Sequence, residues 1–548
     1  MDDDVKGVIF VEVMEVYHIR RRDMNIRIYP VGIQTFSEII EEKYLYVDKT
    51  ALIYDLVRDN NYVFLSRPRR FGKSLLMSTL EAYFKGRREL FHGLEIEKLE
   101  DRWIEYPVFR FDLSGQNYIN TDRLVEHISF FLNTIEEHYG LKSEGSIGTR
   151  FMELIRQAYE KYGRRVVVLV DEYDTPMLDC LHDDPLHEAI KTELCGFYSV
   201  LKLSDEYIKF AMLTGITKFG NGSVFSGLNN LKDISMWPEY NALCGISETE
   251  FHNNFVASIK IFAEDHNLTE EGTWRRFKLL YDGYRFASEG ENIYNPFSVL
   301  SAFDSEDFGY YWYSSGSSYY LIKLIERYHF ILSNIEGERR TSKQLGDISD
   351  VRYDIVPLLY QSGYLTIKGC ENPSGRSLGE EYILGFPNRE VNQSFWESLS
   401  DHFFRGYGQC LTFNVRSFLD DINRGRVEEF MVRLRSLFSD TNSEAEANKE
   451  IHFQNMMAIA CKMIGLDVRT EIHSSRGRCD MQIETSAYVY IFEFKVNGSS
   501  KEALEQIHEK DYADRYGADP RTVYLVGANF STETRTLTDW CIDTLHKA

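Results

Sequence analysis

Three short apolar runs in the first half of the chain each end in polar residues. They are YVFLS at 62–66, VVVLV at 166–170 and the apolar part of YIKFAMLTGITKFG at 207–220. Runs of this length and composition predict strands buried on both faces, as in a parallel sheet covered by helices. The first run continues through RPRRFGKS into SLLMSTLEAYF, whose apolar residues recur at helical spacing. The pattern therefore predicts an α/β domain in which a polar loop joins a strand to a helix.

The C-terminal part of the chain predicts a second sheet. Residues 479–484 and 488–495 predict two short strands with a turn between them. Because successive side chains alternate across a strand, Glu493 and Lys495 share one face of the second strand. Asp480 lies at the start of the adjoining strand, where it can approach Glu493. The later segment TVYLVGANFS predicts a further strand that completes this sheet.

The region between these two patterns is rich in aromatic residues and predicts mostly helices. DIVPLLYQSGYLTIKG and then EEYILGFPNREVNQSFWESL predict a helix, a short strand, a strand and a helix, which is the order of a small winged-helix unit. Such a unit either binds DNA or is a packing spacer between two larger modules. The polar, Ala-rich segment DTNSEAEANKE predicts a linker or the exposed start of the next helix, which EIHFQNMMAIACKMIGL would form.

Composition places the chain among multidomain globular proteins. It has 548 residues, 43% hydrophobic and 14% aromatic, which favours roughly two to four domains with well-packed cores. The formal net charge of -23 argues against bulk attraction to nucleic acid, so any polynucleotide contact must use a local basic groove. The 8 cysteines are scattered without a CxxC pair, which suits a reducing cytoplasm. The longest aliphatic runs are far too short to span a membrane, and we expect no membrane association.

The first 30 residues lack the pattern of a signal peptide. Their alternation of Val, Ile and Phe with Glu predicts either a strand or an upstream extension of a protein whose natural start is Met24. We expect the extension.

RPRRFGKS has the context of a phosphate-binding loop, because it follows a strand and opens a helix. Backbone N–H groups at the helix start would point toward an anion, Lys73 would reach the β- and γ-phosphates, and the Ser74 hydroxyl would hold Mg²⁺. Such loops usually carry their first glycine where Arg67 stands, and arginine adopts positive φ less readily than glycine. GKS alone is therefore also compatible with a plain junction between a strand and a helix.

The strand VVVLV supplies the second half of a nucleotide site. It is followed by Asp171 and Glu172, and ligands of parallel α/β sheets bind outside the carboxyl ends of the strands. Asp171 would contact the hydration shell of Mg²⁺, and Glu172 would activate the attacking water. The same acids alone would also fit a loop that caps a helix. Thr214, at the end of the third apolar strand, either hydrogen-bonds the γ-phosphate or the water, or lies in a strand-end turn.

These segments, together with YDGYRF at 281–286 and YNPFSVL at 294–300, resemble the AAA-ATPase-like family of bacteria and archaea over roughly residues 30–300. That family also carries RPRRFGKS without the first glycine. The resemblance implies a P-loop sheet domain that binds ATP and Mg²⁺, with YDGYRF and YNPFSVL in a helical lid. No arginine finger can be named: Arg67, Arg69 and Arg70 either neutralise phosphate charge or are solvated loop residues. The expected nucleotide-binding residues are Arg70, Gly72, Lys73, Ser74, Asp171 and Thr214, of which Ser74 and Asp171 serve the metal, with Glu172 as the catalytic residue.

Asp480, Glu493 and Lys495 have the pattern of a magnesium site with an adjacent cation. Two carboxylates hold this hard metal through oxygen. The metal polarises a phosphate and lowers the pKa of its bound water, while the lysine positions that nucleophile or stabilises the developing charge. An acid–x–Lys pattern alone is often a surface ion pair, but Asp480 behind the GRCD turn favours the functional interpretation.

GRCD and EFK resemble the core motif of the PD-(D/E)XK nuclease superfamily, over roughly residues 445–548. The resemblance implies a restriction-endonuclease-like α/β domain with Asp480, Glu493 and Lys495 as catalytic residues, the two acids being the metal ligands. Cys479 stands in place of the leading proline of the motif. Gln506 and Tyr512 resemble the downstream Gln…Tyr motif of the exonuclease-like branch, and Glu450 is a candidate for its helix-borne acid.

We therefore predict an N-terminal extension at 1–30, an AAA-ATPase-like P-loop domain at 31–240, a helical lid and winged-helix-like region at 241–440, and a nuclease-like domain at 441–548. The leading hypothesis is an ATP-regulated, Mg²⁺-dependent nuclease that acts on DNA or RNA. The alternative is an ATP-dependent switch or interaction protein whose nuclease-like domain only binds, an alternative that the net charge of -23 favours. A motor that translocates on DNA has no visible motif. ATPases of this shape often need a neighbouring subunit to finish their site, so a homo-oligomer is compatible with the sequence.

Overall fold

The computed structural model describes residues 28–219, 224–225, 228, 230–314, 319–328, 330, 332, 335–348, 351–371, 380–403, 411–439, 455, 458–459, 462, 468–474, 477–534 and 536–545. The predicted N-terminal extension up to residue 27, the predicted linker, Glu450 and most of the helix predicted after it lie outside the described residues. Among the described residues, no helix is both long enough and apolar enough to cross a membrane.

The helices and strands are numbered in chain order. The α-helices are α1 Phe36–Glu41, α2 Thr50–Asp59, α3 Lys73–Phe84, α4 Thr121–Tyr139, α5 Ile147–Tyr162, α6 Thr175–Asp179, α7 Asp184–Leu203, α8 Glu248–Asp265, α9 Glu270–Tyr281, α10 Pro296–Ser305, α11 Tyr311–Ser314, α12 Tyr319–Tyr328, α13 Ser342–Leu345, α14 Val356–Gln361, α15 Arg389–Phe403, α16 Leu411–Asn423, α17 Val427–Ser439 and α18 Ser500–Glu509. The strands are β1 Tyr62–Ser66, β2 Val108–Asp112, β3 Val166–Asp171, β4 Ile208–Gly215, β5 Lys232–Asp233, β6 Ile246–Ser247, β7 Ile293–Tyr294, β8 Arg339–Thr341, β9 Thr366–Glu371, β10 Glu381–Gly385, β11 Val468–Ser474, β12 Gly477–Glu484, β13 Tyr488–Val496, β14 Thr522–Ser531 and β15 Thr536–Thr544.

The described residues form two compact units. The first contains those within 28–316, 339–351 and 356–390, and the second contains those within 317–338, 352–355 and 391–545. The domain boundaries expected at 240 and 440 remain predictions.

A five-stranded parallel sheet organises the first unit, with the strand order β2-β3-β4-β1-β5. Every residue of β3 is buried, as its unbroken aliphatic sequence predicts for a strand covered on both faces. β4 pairs with β1 on one side and with β3 on the other, all in parallel. The carboxyl ends of these three strands therefore meet at one edge of the sheet, and the loop from β1 to α3 lies at that edge.

The rest of the first unit contains a helical region and a small sheet. Phe251 of α8, Phe277 of α9 and Phe303 of α10 share one buried aromatic cluster. The Asn295 side chain accepts a hydrogen bond from Ser298 N–H and caps the start of α10, so YNPFSVL becomes a short strand followed by a helix. The predicted order of helix, strand, strand, helix appears as α14, β9, β10 and α15, although α15 belongs to the second unit from residue 391 onward. The pattern did not predict β8, which pairs with β10.

The second unit is built on a five-stranded mixed sheet with the order β11-β12-β13-β14-β15. β13 pairs in parallel with β14 over nine residues, and the other pairs are antiparallel. One face of β13 packs under the segment from α18 to Tyr516. On the other face, the Tyr490 hydroxyl donates to Ile422 O of α16 at 2.5 Å. The predicted fold class, a P-loop-like parallel sheet, helices in the middle and a C-terminal α/β sheet domain, is confirmed.

Candidate functional site

The polar loop after β1 places a helix N-terminus at the carboxyl edge of the first sheet. Gly72 has φ 92°, in the left-handed region that glycine adopts without strain, and it is the residue immediately before α3. Arg70 also has positive φ, at 67°. Lys73 and Ser74 are the first two residues of α3, where unpaired backbone N–H groups and the helix dipole favour an anion. The predicted strand–loop–helix context is therefore confirmed.

Arg67, which stands where phosphate loops usually have a glycine, points into the protein. Its side chain is 1% exposed. One guanidinium nitrogen donates to the backbone oxygens of Ser66 and Ser235 at 2.9 and 2.7 Å, and another donates to Tyr240 O at 3.0 Å. Its guanidinium carbon also lies 4.2 Å from the centre of the Phe286 ring. The expectation that Arg67 is a solvated loop residue is wrong, because its side chain is buried and bonded to three backbone carbonyls. Its effect on phosphate charge stays a prediction.

The YDGYRF motif packs against this same loop. The ring of Phe71 meets the rings of Tyr284 and Phe286 edge-on, with centroid distances of 4.7 and 5.4 Å. Phe286 thus contacts both Phe71 and Arg67 of the loop. The aromatic residues of this motif hold the loop between β1 and α3 in place from the side.

The other two loop arginines differ from Arg67. Arg70 is exposed, and its guanidinium lies 5.0 Å from the centre of the Phe297 ring. The backbone oxygen of Arg69 accepts a hydrogen bond from Trp312 Nε1 at 3.0 Å. Their roles toward phosphate remain predictions.

The acids after β3 lie beside Lys73. Lys73 Nζ is 3.3 Å from Glu172 Oε1, and it also donates to the backbone oxygens of Arg67 and Pro68 at 3.2 and 3.3 Å. The Thr214 hydroxyl donates to Asp171 Oδ1 at 2.7 Å, and both of these side chains are fully buried. The fold therefore brings Lys73, Asp171, Glu172 and Thr214 together at one edge of the sheet, as the order of the strands requires.

Asp171 is suited to act on a cation. Burial raises the pKa of its carboxyl group, the charge of Glu172 raises it further, and hydrogen bonds from Ser74 and Thr214 act in the opposite direction. Among the described residues, Asp171 Oδ2 is a buried oxygen with no hydrogen-bond partner. A buried carboxylate oxygen of this kind is costly unless a cation or a donor meets it. The contact with Ser74 and this oxygen fit Mg²⁺ held between Ser74 and Asp171.

Asp174 is a residue of this site that the sequence did not single out. It is fully buried, and its carboxylate accepts hydrogen bonds from Ile216 N–H at 3.0 Å and from the N–H and hydroxyl of Thr217, both at 2.6 Å. A Cβ at position 215 would collide with this carboxylate, so the fold requires Gly215. Burial, and then the charge of Glu172, raise the pKa of Asp174 to about 6. The sequence did offer one signal for Asp174, because it is the third acid of the segment VVVLVDEYD, after Asp171 and Glu172.

A buried acid connects the loop to α10. Glu390 accepts hydrogen bonds from Trp312 N–H and from the Ser298 hydroxyl of α10, both at 2.8 Å. Burial raises the pKa of Glu390 to about 7. Trp312 in turn donates to the backbone oxygen of Arg69, so one chain of hydrogen bonds joins the loop between β1 and α3 to this helix.

The second unit brings together the acids and lysine predicted at its sheet. The ladder between β12 and β13 runs to the pair Met481 and Phe492, so Asp480 and Glu493 are the next residues along the two strands. The Asp480 carboxylate accepts a hydrogen bond from Phe494 N–H at 2.7 Å, which fixes it beside β13. Glu493 is 3% exposed, and its Oε1 lies 3.9 Å from Lys495 Nζ.

Gln506 of α18 connects the two charged residues of β13. Its side-chain oxygen accepts a hydrogen bond from Lys495 Nζ at 2.5 Å. Its side-chain nitrogen donates to Glu493 Oε1, and it lies 3.4 Å from the hydroxyl of Tyr512. Burial raises the pKa of Tyr512, and the charges of Glu493 and Asp480 raise it further. The two residues of the Gln…Tyr motif therefore lie against the carboxylates.

The donor set of this second site fits one magnesium ion. Among the described residues, no group of three or more His, Cys, Asp or Glu side chains has the arrangement of a metal site. Mg²⁺ is often held by only one or two carboxylates, because it keeps several waters or takes phosphate oxygens as its other ligands. Asp480 and Glu493 supply the two carboxylates, and Lys495 supplies the cation beside them.

Comparisons with known proteins identify both parts of the chain. Residues 30–225 match the model of a family described as predicted AAA-ATPase. Residues 448–540 match the model of the PD-(D/E)XK nuclease superfamily. A protein of Azotobacter chroococcum mcd 1, described as an uncharacterized protein in the vnfD 5' region, is 35% identical over 530 residues, which is 94% of this chain and 99% of that protein. Both resemblances predicted from the motifs are confirmed, and the chain belongs to the AAA-ATPase-like family, with a PD-(D/E)XK nuclease superfamily domain in its C-terminal region.

Proposed function

We propose that the protein binds ATP with Mg²⁺ at the loop before α3, and that it cleaves phosphodiester bonds at Asp480, Glu493 and Lys495 under the control of the nucleotide. The observation that carries this proposal is the arrangement of Asp480, Glu493, Lys495 and Gln506 around one point on the two inner strands β12 and β13 of the C-terminal sheet. A structural ion pair between Glu493 and Lys495 would not need a second acid, Asp480, beside it, or an amide that bridges the pair.

At the nucleotide site, each residue has a distinct task. The N–H groups that open α3 donate to phosphate oxygens, and Lys73 places its positive charge there. Ser74 and Asp171 would hold Mg²⁺, which neutralises phosphate charge when bound. Glu172 accepts a proton from the attacking water, while Thr214 holds Asp171 in position through the hydrogen bond described above.

At the nuclease site, Asp480 and Glu493 would hold Mg²⁺, which activates a water and polarises the phosphodiester when bound. Lys495 orients the attacking water or stabilises the charge that develops on the phosphate. Gln506 holds Lys495 and Glu493 in one geometry, so that neither side chain turns away from the substrate. The substrate class is DNA or RNA.

The net charge of -23 favours one other function. In that case the protein is an ATP-dependent switch, and its nuclease-like domain binds a partner without cleaving it. A protein of this charge repels polynucleotides at long range, which is a disadvantage for a nuclease and none for a switch.

A cleavage assay separates the two functions. The wild-type protein, Lys73→Ala and Glu493→Ala are purified in parallel and given single- or double-stranded DNA or RNA, with Mg²⁺, and with or without ATP. We expect the wild type to cleave one of these substrates, Glu493→Ala to be inactive, and Lys73→Ala to lose the effect of ATP. Cleavage that persists in Glu493→Ala would exclude this site. Nucleotide-dependent assembly without cleavage would favour the switch.

A further inference from the structure

The face of the C-terminal sheet that carries Glu493 continues into a second group of polar side chains. Gln482 of β12 pairs with Ile491 of β13, and Ile491 lies two residues before Glu493 on the same face. Two residues along a strand span about 7 Å, so this second group lies close to the carboxylates of the nuclease site. Gln482 is 1% exposed, and a buried amide of this kind needs hydrogen-bond partners.

Those partners include two residues of the segment after α18, which also carries Tyr512. The side-chain nitrogen of Gln482 donates to the Tyr516 hydroxyl, and it donates to Glu484 Oε1 at 2.7 Å. Its side-chain oxygen accepts a hydrogen bond from the guanidinium of Arg515. The guanidinium carbon of Arg515 also lies 4.9 Å from the centre of the Tyr516 ring. The amide and the ring therefore hold this guanidinium in one place.

Arg515 differs from the other arginine of this network in what balances its charge. Arg521 Nη2 lies 2.8 Å from Glu484 Oε2 and 2.7 Å from Asp519 Oδ2, so two carboxylates neutralise it. Arg515 is exposed, and the amide that holds it is neutral. Among the described residues, Arg515 forms no ion pair with a carboxylate. A guanidinium presents several N–H donors in a planar fork that matches a phosphate, and Arg515 keeps its positive charge for such an anion.

We propose that Arg515 binds a backbone phosphate of the nucleic acid beside the phosphodiester that is cleaved. The inference rests on the proposed function, because it assumes that the cleaved phosphodiester lies at Asp480 and Glu493. Successive phosphates of one strand are separated by about the distance that two residues of β13 span, so a single strand can reach both places. A contact to the backbone carries no sequence information and fixes the position of the strand.

This contact also answers the problem that the net charge of -23 poses for a nuclease. Bulk attraction cannot bring a polynucleotide to an acidic protein, so the attraction must be local. Lys495 is bonded to Gln506 and lies near Glu493, whereas Arg515 carries a charge that no acid of the described residues pairs with. Arg515 is therefore the side chain that we expect to hold the strand before cleavage.

The test measures binding of fluorescein-labelled DNA and RNA oligonucleotides, single-stranded and in a duplex, by fluorescence anisotropy at several salt concentrations. EDTA replaces Mg²⁺ so that nothing is cleaved. We expect Arg515→Ala to weaken binding about tenfold and to reduce the slope of log K against log salt by about 0.7–0.9, which is the share of one phosphate contact. Arg515→Lys should keep most of the slope. Lys501→Ala removes the same charge from an exposed position at the start of α18 and should bind like the wild type.

Cleavage kinetics with Mg²⁺ provide a second measurement. A residue that holds the strand away from the reacting atoms contributes binding that is equal in the ground state and the transition state. We therefore expect Arg515→Ala to raise KM by about tenfold with kcat close to that of the wild type. The Mg²⁺ concentration that gives half-maximal cleavage and the unfolding temperature should both stay unchanged.

The outcomes separate this inference from the proposed function. If the wild type cleaves and Arg515→Ala has the wild-type salt slope and KM, Arg515 does not touch the strand, and the nuclease function stands. If Arg515→Ala and Lys501→Ala lose affinity equally, only the overall charge matters, and the inference is wrong. If the wild type neither binds nor cleaves any of these nucleic acids, the proposed function fails together with the inference.

Discussion

The ammonium of Lys73 lies 3.3 Å from the carboxylate of Glu172. The lysine that opens α3 and the acid that follows β3 therefore form an ion pair at the carboxyl edge of the sheet. Lys73 is 3% exposed and Glu172 is 19% exposed, so water screens this pair only weakly. The negative charge of Glu172 also raises the pKa of both Asp171 and Asp174. Glu172 thus acts electrostatically on three charged residues of this site, namely Lys73, Asp171 and Asp174.

Glu172→Gln separates ATP binding from ATP hydrolysis. The amide keeps the size of the side chain but cannot accept a proton from water, so we expect hydrolysis to fall by about 100-fold or more. Binding should be unchanged or tighter, because the substitution removes a negative charge near the phosphates. Phosphate release and calorimetric titration with ATP measure the two effects. The control is Glu206→Gln, an exposed acid before β4, and hydrolysis at the wild-type rate in Glu172→Gln would rule out its catalytic role.

Arg67→Gly tests whether this position behaves as it does in other phosphate loops. The substitution restores the usual glycine, but it leaves the backbone oxygens of Ser66, Ser235 and Tyr240 without the donors described above. Buried groups that lose their partners cost about 1–3 kcal/mol each. We therefore expect the free energy of unfolding to drop by at least about 3 kcal/mol.

Chemical denaturation followed by intrinsic fluorescence measures this loss. Arg70→Gly is the matched control, because Arg70 is exposed in the same loop and already has positive φ. We expect that variant to stay within about 1 kcal/mol of the wild type. A stability equal to that of the wild type in Arg67→Gly would show that the guanidinium does not hold the loop.

Local patterns predicted the strands that carry the sites. The bounds of β1 and β3 follow from uninterrupted apolar runs, and the alternation along β13 places Glu493 and Lys495 on one face. The parallel sheet then requires Lys73 and Asp171 to meet at its carboxyl edge. These relationships depend on strand periodicity and on one topological rule, and both can be seen in the sequence.

Contacts between distant segments could not be predicted in this way. Arg67 donates to the backbone oxygens of Ser235 and Tyr240, which lie 168 and 173 positions further along the chain. Nothing near Arg67 in the sequence indicates these acceptors. The sequence did not single out Asp174 for a related reason. Its hydrogen-bond partners, Ile216 and Thr217, follow β4 and become its neighbours only when β3 and β4 pair. A cavity beside Gly72 is lined by five separate segments of the chain, among them residues 45–53, 243–246 and 296–300, and no local pattern marks it.

Glu390→Gln should reduce the effect of pH on stability. The pKa of Glu390 is raised by burial to about 7, so the folded protein favours the protonated acid. Its contribution is fully present below the ordinary carboxyl pKa and is lost as the pH rises through about 7. Asp174 and Asp282 act in the same direction, because burial raises the pKa of each to about 6.

The unfolding temperature of the wild type should therefore fall between about pH 5 and about pH 8. Glutamine can accept from Trp312 N–H and donate to the Ser298 hydroxyl without ionising. The unfolding temperature of Glu390→Gln should therefore fall less over this range, and its free energy of unfolding should lose about 1–3 kcal/mol less than that of the wild type at the upper pH. Differential scanning calorimetry across this range provides the measurement. Asp304→Asn, an exposed acid on α10, is the control, and equal slopes for Glu390→Gln and the wild type would contradict the prediction.

Gln506→Ala should impair cleavage without unfolding the C-terminal domain. Gln506 is partly exposed on α18, and its amide contacts Lys495 on one side and Glu493 on the other. Without this bridge, Lys495 gains freedom to turn into solvent, and a small misplacement of a reacting group has a large effect on rate. We expect the cleavage rate to fall by about 10- to 100-fold.

Glu505→Ala, the neighbouring exposed position on the same helix, should cleave like the wild type. A structural role for Gln506 would lower the unfolding temperature without changing the dependence of the rate on Mg²⁺. A role in positioning Glu493 should instead raise the Mg²⁺ concentration that gives half-maximal cleavage. Gln506→Glu tests the same point in the opposite direction, because it places a third carboxylate beside Asp480 and Glu493. That variant should bind Mg²⁺ more tightly and still cleave slowly, since Lys495 would then pair with the new acid.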